Sequence, residues 1–294
     1  MMNTKSFALV ILNYKFPDLT TACLESLAQG NRELLKIFLI NNYPQDDSGT
    51  VLRTKMRSLR LDFTYIEFPE NLGFAGGANA GIWKALEEGF SHIALLNNDT
   101  EVRPNFADQV SRATAICPDR IIAGLVLNKA DGLPGSNIGR ISKLNLSIEF
   151  IYAETVDGNI DFVSGCFVVF PREVVEKSGL FNDTYFMYCE DAELCLRWKR
   201  LGFQIRFFPE IEVVHAANST TDRAGTPKEY YRMRNQTRMV LKYGSASQKT
   251  FYAVHLILLL AYKLRHPRIF VEFCKGIRDA LTNRMGKRRE RSLR

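Results

Sequence analysis

The stretch His92-Ile93-Ala94-Leu95-Leu96-Asn97-Asn98-Asp99-Thr100 passes from an apolar run into four polar side chains. A short apolar run with polar flanks is typical of a buried strand. In open α/β sheets, ligands bind beyond the carboxyl ends of the strands. The stretch therefore predicts a central strand and, at its end, one wall of a binding crevice that includes Asn97, Asn98 and Asp99.

Similar apolar runs precede this stretch and alternate with helical patterns. Strands are predicted at residues 7–12, 37–40, 63–68 and 92–96, and helices at 19–28, 51–58 and 75–88. This alternation predicts an α/β fold class with a mostly parallel sheet flanked by helices. Because Asn13-Tyr14 and Asn41-Asn42 also end strand runs, we expect them in the same crevice.

The second half of the chain has weaker patterns. Residues 128–161 are rich in Gly, Asn and Ser and predict loops with a β excursion, and residues 162–170 predict one strong strand. A helix is predicted at 190–201, strands at 203–208 and 211–214, and an amphipathic helix at 228–243. The strand at 211–214 leads directly to His215.

The composition suits one large domain with an appendage, which we predict as residues 1–245 and 246–294. Of the 39 Lys and Arg, 11 lie in residues 263–294, against three of the 32 Asp and Glu. The positive charge therefore belongs to the C-terminal tail, and we expect no nucleic-acid partner for the body. Six scattered cysteines without a C-x-x-C pair favour reduced thiols and a cytoplasmic location.

The C-terminal appendage contains two apolar segments. Residues 251–264 are too short for a spanning helix of about 20 residues, so we expect them to pack on the body or lie in an interface. Residues 269–281 are amphipathic and precede the basic residues 284–294. This combination favours a tail that binds an anionic membrane surface, and the alternative is a packed helix with a solvated end.

Seven segments, in this order, resemble family 2 glycosyltransferases with the GT-A fold. The resemblance is to the rhamnosyltransferase-like branch of bacterial surface polysaccharide synthesis, including O-antigens. It covers about residues 6–243 and rests on residues 10–14, 71–79, 95–100, 163–166, 186–197, 214–215 and 230–235. It implies a GT-A domain that binds a nucleoside diphosphate sugar.

The resemblance also implies which residues bind the donor. Residues 71–79 form a Gly-rich loop that opens a helix, whose backbone N–H groups favour a diphosphate; the alternative is a tight turn without a ligand. The predicted nucleotide-sugar-binding residues are Asn13, Tyr14, Asn41, Asn71, Gly73, Phe74, Gly76, Asn79, Asn97, Asn98 and Asp99.

A divalent metal ion, Mg²⁺ or Mn²⁺, is implied at Asp99 and His215. Asp99 stands where the family's acidic motif ends, whereas Asn97 and Asn98 replace carboxylates of that motif. An imidazole suits Mn²⁺ better than Mg²⁺. The residues by themselves leave two alternatives open, a capped turn at 97–100 and a packed histidine.

The resemblance makes Asp191 the general base and places Glu190 beside it in contact with substrate hydroxyls. Predicted acceptor-binding residues are Gly165, Cys166, Tyr188 and Arg197. A sugar hydroxyl is a poor nucleophile at neutral pH, so its deprotonation in the transition state accelerates transfer. Adjacent carboxylates at a helix start are, alternatively, ordinary first-turn acids favoured by the helix dipole.

These implications predict an inverting transferase that moves L-rhamnose from dTDP-rhamnose to a hydroxyl of a glycan or polyprenyl-diphosphate-linked acceptor. It would act in the cytoplasm, peripherally on the inner face of the cell membrane. Alternative donors are UDP-galactose, UDP-glucose and UDP-GlcNAc, and another alternative is a nucleotide-sugar-binding protein without activity. A nucleotidyltransferase is disfavoured because residues 13–16 lack the glycine that its N-terminal loop needs.

Overall fold

A computed structural model describes residues 7–30, 35–43, 47–156, 158–216 and 227–288. The strands are β1 (Phe7–Asn13), β2 (Leu35–Asn41), β3 (Phe63–Glu67), β4 (His92–Asn97), β5 (Thr100–Val102), β6 (Ile121–Asn128), β7 (Ile138–Ile141), β8 (Ile148–Ile151), β9 (Phe162–Val163), β10 (Phe167–Pro171) and β11 (Ile205–His215). The helices are α1 (Pro17–Ala28), α2 (Ser48–Ser58), α3 (Gly73–Glu87), α4 (Phe106–Ile116), α5 (Arg172–Ser178), α6 (Glu190–Arg200), α7 (Lys228–Tyr243), α8 (Ala246–Lys263) and α9 (Pro267–Leu281). A 3₁₀ turn spans Asp183–Tyr185.

The main sheet has the strand order β3-β2-β1-β4-β10-β6-β11-β5. The first four strands of this order run parallel, β10 runs antiparallel to both of its neighbours, and β5 runs antiparallel to β11. One hydrophobic cluster lies on each face of the sheet, which agrees with strands buried on both sides. The predicted α/β class with a mostly parallel sheet is therefore confirmed.

Helix α3 packs unusually close to this sheet. A Cβ atom on Gly77 would lie 2.4 Å from Leu12 Cδ1, so any larger residue would require the Leu12 side chain to shift. Part of the Gly-rich sequence at 71–79 thus serves packing of the helix on β1. This packing brings the N-terminus of α3 to the carboxyl ends of β1 and β2.

Two strand predictions were wrong in detail. Residues 162–170 form two strands, β9 and β10, separated by Ser164-Gly165-Cys166, because β9 leaves the main sheet to pair with β7. Residues 205–208 of one predicted strand and 211–214 of the next belong to the single strand β11, whose pairing with β6 shifts register between Phe208 and Glu212. The predicted β excursion in 128–161 is confirmed as a small sheet in the order β8-β7-β9.

The C-terminal helices differ in their packing. The apolar face of α9 lies against α7, where a Cβ on Gly276 would lie 2.7 Å from the Tyr230 carbonyl oxygen. Helix α8 has one buried residue, Tyr252, and exposes most of its apolar side chains. No helix in the described ranges is long and apolar enough to cross a membrane. Residues 289–294 of the predicted basic tail lie outside the described residues.

Candidate active site

A cleft of about 2420 Å³ opens at the carboxyl ends of β1, β2 and β4. It joins the two sequence segments that were predicted to form one site. The predicted residues that line it are Tyr14, Asn71, Gly73, Phe74, Asn97, Asn98, Asp99, Gly165, Cys166, Tyr188, Glu190, Asp191 and His215.

Five predicted site residues do not line the cleft, namely Asn13, Asn41, Gly76, Asn79 and Arg197. Both ends of the Asn79 amide bond the backbone of Phe181, at 2.9 and 3.0 Å. The Arg197 guanidinium pairs with Glu193 at 2.9 Å and donates to the carbonyl oxygens of Ser178 and Leu180. We therefore remove Asn79 from the donor contacts and Arg197 from the acceptor contacts, because internal partners occupy their polar groups.

Asn13 and Asn41 belong to a buried network beneath the end of the cleft that β1, β2 and β4 form. Asn13 Nδ2 donates to Asn41 Oδ1 at 2.8 Å, and Thr20 Oγ1 donates to Asn13 Oδ1 at 2.7 Å. Asn98 Nδ2 then donates to Thr20 Oγ1 at 2.8 Å. Because Asn13 and Asn41 have no exposed surface, they fix the strand ends from below rather than face the cleft.

Asn42 holds the loop that opens α3. Its Nδ2 donates to the Gly73 carbonyl oxygen at 2.9 Å, and its Oδ1 accepts from the Leu72 N–H at 2.9 Å. Asn71 Oδ1 in turn accepts from the Gly73 N–H at 2.8 Å. This arrangement fixes the N-terminal turn of α3 beside the cleft.

Asp99 and His215 meet because β5 and β11 pair antiparallel, with Thr100 opposite His215. His215 Nε2 lies 3.1 Å from Asp99 Oδ1, and both residues line the cleft. Burial lowers the pKa of His215, but the charges and hydrogen bonds of Cys166 and Asp99 outweigh it and raise the pKa to about 11. Within the described ranges, no cluster of three or more His, Cys, Asp or Glu forms a metal site.

Glu190 and Asp191 open α6 on the opposite wall. Asp191 Oδ1 accepts from the Ala192 N–H at 2.8 Å, and Oδ2 accepts from the Gly165 N–H at 3.3 Å. Burial raises the pKa of Asp191, against the lowering effect of these hydrogen bonds. Burial and then the Asp191 charge raise the pKa of Glu190 well above its usual value. Both shifts move a carboxylate toward a stronger base.

Glu190 has an unusual environment. It is 6% exposed, and its Oε2 has no hydrogen-bond partner in the described part of the chain. A buried hydrogen-bond acceptor without a partner lowers the stability of the folded state by about 1–3 kcal/mol. Because Glu190 also lines the cleft, this oxygen is an acceptor that a bound hydroxyl can satisfy.

The loop before α6 has strained backbone conformations. Phe186, Tyr188 and Cys189 have φ values of 64°, 65° and 63°, a region that non-glycine residues seldom occupy. Asn235 Nδ2 donates to the carbonyl oxygens of Tyr185, Met187 and Tyr188 at 2.9, 2.9 and 2.7 Å. These bonds from α7 stabilise the loop against its local preference.

The buried guanidinium of Arg234 supports the same loop. It is 1% exposed and donates to Tyr185 O at 2.9 Å, to Gly286 O at 2.6 Å and to Asn235 Oδ1 at 2.9 Å. Residues 230–235 contribute to the family resemblance, but no role for them was predicted from the sequence. Arg234 was missed because a charged side chain is ordinarily exposed.

The far end of the cleft is formed by the C-terminal helices. Its basic lining residues are Arg232, Arg234, Lys263, Lys275, Arg278, Arg284, Lys287 and Arg288. Lys275 and Arg288 pair with Glu272, and Arg278 pairs with Asp279. The appendage predicted at 246–294 thus contributes a wall of the cleft, which the sequence analysis did not foresee.

Comparisons with known proteins identify the family to which the chain is similar. The family model Glycosyl transferase family 2 matches residues 6–179. The dTDP-rhamnosyl transferase RfbF of Shigella flexneri is 26% identical over 231 residues, which are 70% of this chain and 77% of that protein. The rhamnosyltransferase WbbL of Escherichia coli K12 is 33% identical over 78 residues, which are 26% of this chain and 28% of that protein.

A solved structure shares the fold. The mannosyltransferase PcManGT of Pyrobaculum calidifontis, in complex with GDP-Man and Mn²⁺, superimposes with a TM-score of 0.61 at 13% identity, over 96% of this chain and 88% of that chain. This likeness confirms the predicted GT-A fold. The family match ends at residue 179, before Glu190 and Asp191.

Proposed function

Because the chain belongs to glycosyl transferase family 2, we propose that it transfers a sugar, with inversion, from a nucleoside diphosphate sugar to a hydroxyl of a glycan acceptor. The observation that supports this most is the single cleft that contains both Asp99–His215 and Glu190–Asp191. One pair faces the part of the site that would hold a diphosphate. The other supplies carboxylates of raised pKa for a hydroxyl.

Asp191 is the proposed general base. Its two oxygens are oriented by backbone N–H groups of Ala192 and Gly165, so it can take a proton from an acceptor hydroxyl without turning. The proton leaves the hydroxyl as the oxygen bonds to the sugar carbon and the diphosphate departs. General base catalysis of this kind contributes about 10²–10⁴-fold. Glu190 Oε2 is proposed to accept a hydrogen bond from a substrate hydroxyl.

The residues at Asp99 and His215 fit a divalent cation. Asp99 Oδ1 and His215 Nε2 lie 3.1 Å apart, and carboxylate oxygens and imidazole nitrogens are both metal ligands. Because the raised pKa of His215 keeps its ring protonated, a cation would have to replace the Nε2 proton. When bound, Mg²⁺ or Mn²⁺ would supply charge neutralisation for the leaving diphosphate. Asp99 and His215 are two ligands, so the donor phosphates would complete the coordination. Asn97 and Asn98 line the same wall.

The proposed donor is dTDP-rhamnose. It is supported by the likeness to RfbF and WbbL, whose names state rhamnosyl transfer. The proposed acceptor is a lipid-linked glycan of surface polysaccharide synthesis, at the inner face of the cell membrane. UDP-galactose, UDP-glucose and UDP-GlcNAc are the alternative donors of the same fold.

The donor is tested by thermal shift of the full chain with dTDP-rhamnose, the three UDP sugars and GDP-mannose, each with MnCl₂, MgCl₂ or EDTA. A donor at 100 times its Kd stabilises the folded state by about 2.7 kcal/mol. We expect the largest shift with dTDP-rhamnose and Mn²⁺, and a smaller one with EDTA. Asp99→Ala should remove the metal-dependent part of the shift.

The exposed Asp108→Ala on α4 serves as the matched carboxylate control. A larger shift with a UDP sugar would replace the donor assignment. Equal shifts with metal and EDTA, in both wild type and Asp99→Ala, would refute the metal role. Binding of a donor without transfer to any lipid-linked glycan fraction would favour a binding protein instead.

A further inference from the structure

Helix α8 presents an apolar face to solvent. The exposed side chains follow helical spacing at Phe251, Val254, Leu258 and Tyr262, with Ile257 beside them. Ile257 and Leu258 are 67% and 66% exposed. Eight of the 16 large apolar residues that are exposed in the described ranges lie between residues 251 and 281. Contiguous exposed apolar surface of this kind marks an interaction site.

The opposite face of α8 is also apolar, and it faces the protein. Tyr252 is buried there, with its hydroxyl 2.9 Å from Thr237 Oγ1 of α7, and Leu256 packs against the core. These contacts attach the inner face of the helix to the body of the protein. Its outer apolar side chains stay exposed in the folded protein, and a binding partner would account for their exposure.

The charge around this face has one sign. Residues 246–268 contain no Asp or Glu and four Lys or Arg, namely Lys249, Lys263, Arg265 and Arg268. Arg265, in the turn after α8, and Arg268, in the first turn of α9, are exposed, and no acid of the described chain forms an ion pair with them. An apolar helix face beside such a basic turn complements an anionic lipid surface.

A second copy of the chain fits this face less well. Residues 246–268 contain no acid, so a two-fold contact between two α8 helices would bring only basic charges of the two copies near one another, and like charges at a contact oppose binding. Helix α9, in contrast, packs on α7 and buries Phe273, Gly276 and Ala280, although Val271 and Leu281 stay exposed. Much of the amphipathic helix that the sequence favoured as an anchor is therefore used in packing.

We propose that the outer face of α8, with Arg265 and Arg268, docks in the plane of an anionic membrane leaflet. Leu259 and Lys263 of the same helix line the cleft, so the docked helix would hold the basic end of the cleft beside the lipid surface. The statement that docking holds the cleft beside a lipid-linked acceptor rests on the proposed transfer to a lipid-linked glycan. The docking surface itself rests on α8 alone.

The test is co-sedimentation of the full chain with vesicles of phosphatidylglycerol and phosphatidylcholine, and with vesicles of phosphatidylcholine alone. The double variant Ile257→Ser/Leu258→Ser should lower the partition coefficient about tenfold or more. Arg265→Glu/Arg268→Glu should lower it on anionic vesicles by at least about 25-fold, since each basic residue near the leaflet contributes about fivefold. Salt should weaken wild-type binding.

The matched control is Ile116→Ser/Leu133→Ser, which removes two side chains of 70% and 60% exposure outside the C-terminal helices. This control should bind vesicles like wild type. Deletion of residues 289–294 measures separately how much the basic end of the chain contributes to vesicle binding. Thermal shift by UDP and dTDP with MnCl₂ should be unchanged in every variant, since it reports the donor end of the cleft.

Equal partition of wild type and Ile257→Ser/Leu258→Ser would overturn the proposal. So would equal binding to both vesicle types, a similar loss in the control, or loss of all binding on deletion of residues 289–294. A dimer in light scattering that Ile257→Ser/Leu258→Ser makes monomeric would assign the face to a second copy. Failure of the proposed function would appear as absent nucleotide binding or transfer, which leaves the vesicle result unaffected.

Discussion

At the ends of β1, β2 and β4, polar side chains satisfy one another, whereas Glu190, the first residue of α6, buries a carboxylate oxygen that has no partner in the described chain. We refer to these regions as the proposed donor wall, which includes the network of Asn13, Thr20, Asn41 and Asn98, and the proposed catalytic wall. The catalytic wall combines left-handed backbone at 186, 188 and 189 with the buried Glu190. The difference suggests that the donor wall is preformed, while the catalytic wall is held in place by α7 and completed by substrate.

The largest expected effect comes from Asp191→Asn, which tests whether the catalytic wall supplies the base. We expect kcat to fall about 10²–10⁴-fold, with donor Kd unchanged, because the amide keeps the shape and loses basicity. Steady-state transfer and calorimetric donor binding measure the two quantities. Asp108→Asn is the matched control, since Asp108 is also a first-turn acid, of α4. Similar kcat values for both variants would show that Asp191 is not the base but an ordinary acid in the first turn of the helix.

An intermediate effect is expected for Asn235→Ala, which tests how the strained loop is held. Its loss removes three hydrogen bonds to loop carbonyl oxygens. We expect kcat to fall about 10–100-fold and the KM for the donor to change little, because misplacement of the base affects chemistry most.

Thr237→Val is the control for simple destabilisation, since Thr237 is buried on the same helix and bonds Tyr252 instead of the loop. Both variants should lower Tm. A matching fall in kcat for Thr237→Val would mean that the loop has no special dependence on Asn235.

The smallest effect is on stability, from Glu190→Gln. The folded-state pKa of Glu190 lies above its usual value of 4.5, so folding takes up a proton when pH exceeds 4.5. The stability of the wild type therefore falls as pH rises from 4.5 to the pKa of Glu190 in the folded state. The Gln variant has no carboxyl group at this position, so its stability does not fall for this reason. We expect Gln to raise Tm by about 2–6 °C at pH 8.

The Tm difference should vanish toward pH 4.5, and calorimetric scans at several pH values measure it. A Tm of Glu190→Gln at or below that of wild type at pH 8 would mean that Glu190 stabilises the fold. The two walls would then not differ in the way described.

The mostly parallel sheet followed from the apolar periodicity of the sequence, whereas the pairing of Asp99 with His215 and the roles of Glu190 and Asp191 were expected only from the family resemblance. The structural roles of Asn79 and Arg197 could not be predicted from the sequence, because tertiary packing brings their partners Phe181, Ser178 and Leu180 to them. The break in 162–170 was hidden because both of its strands are apolar. Helix α8 is apolar all round, so periodicity could not tell which face it buries.

The contact between Gly73 and Phe186 limits how this fold can be recombined. The Phe74 N–H donates to the Phe186 carbonyl oxygen at 2.7 Å, and a Cβ on Gly73 would lie 2.2 Å from that oxygen. The two residues fall on opposite sides of residue 179, where the family match ends. A chimera that joins residues 6–179 to the C-terminal half of another family member must therefore supply a matching left-handed residue at 186. The two halves of the chain cannot be exchanged as independent modules.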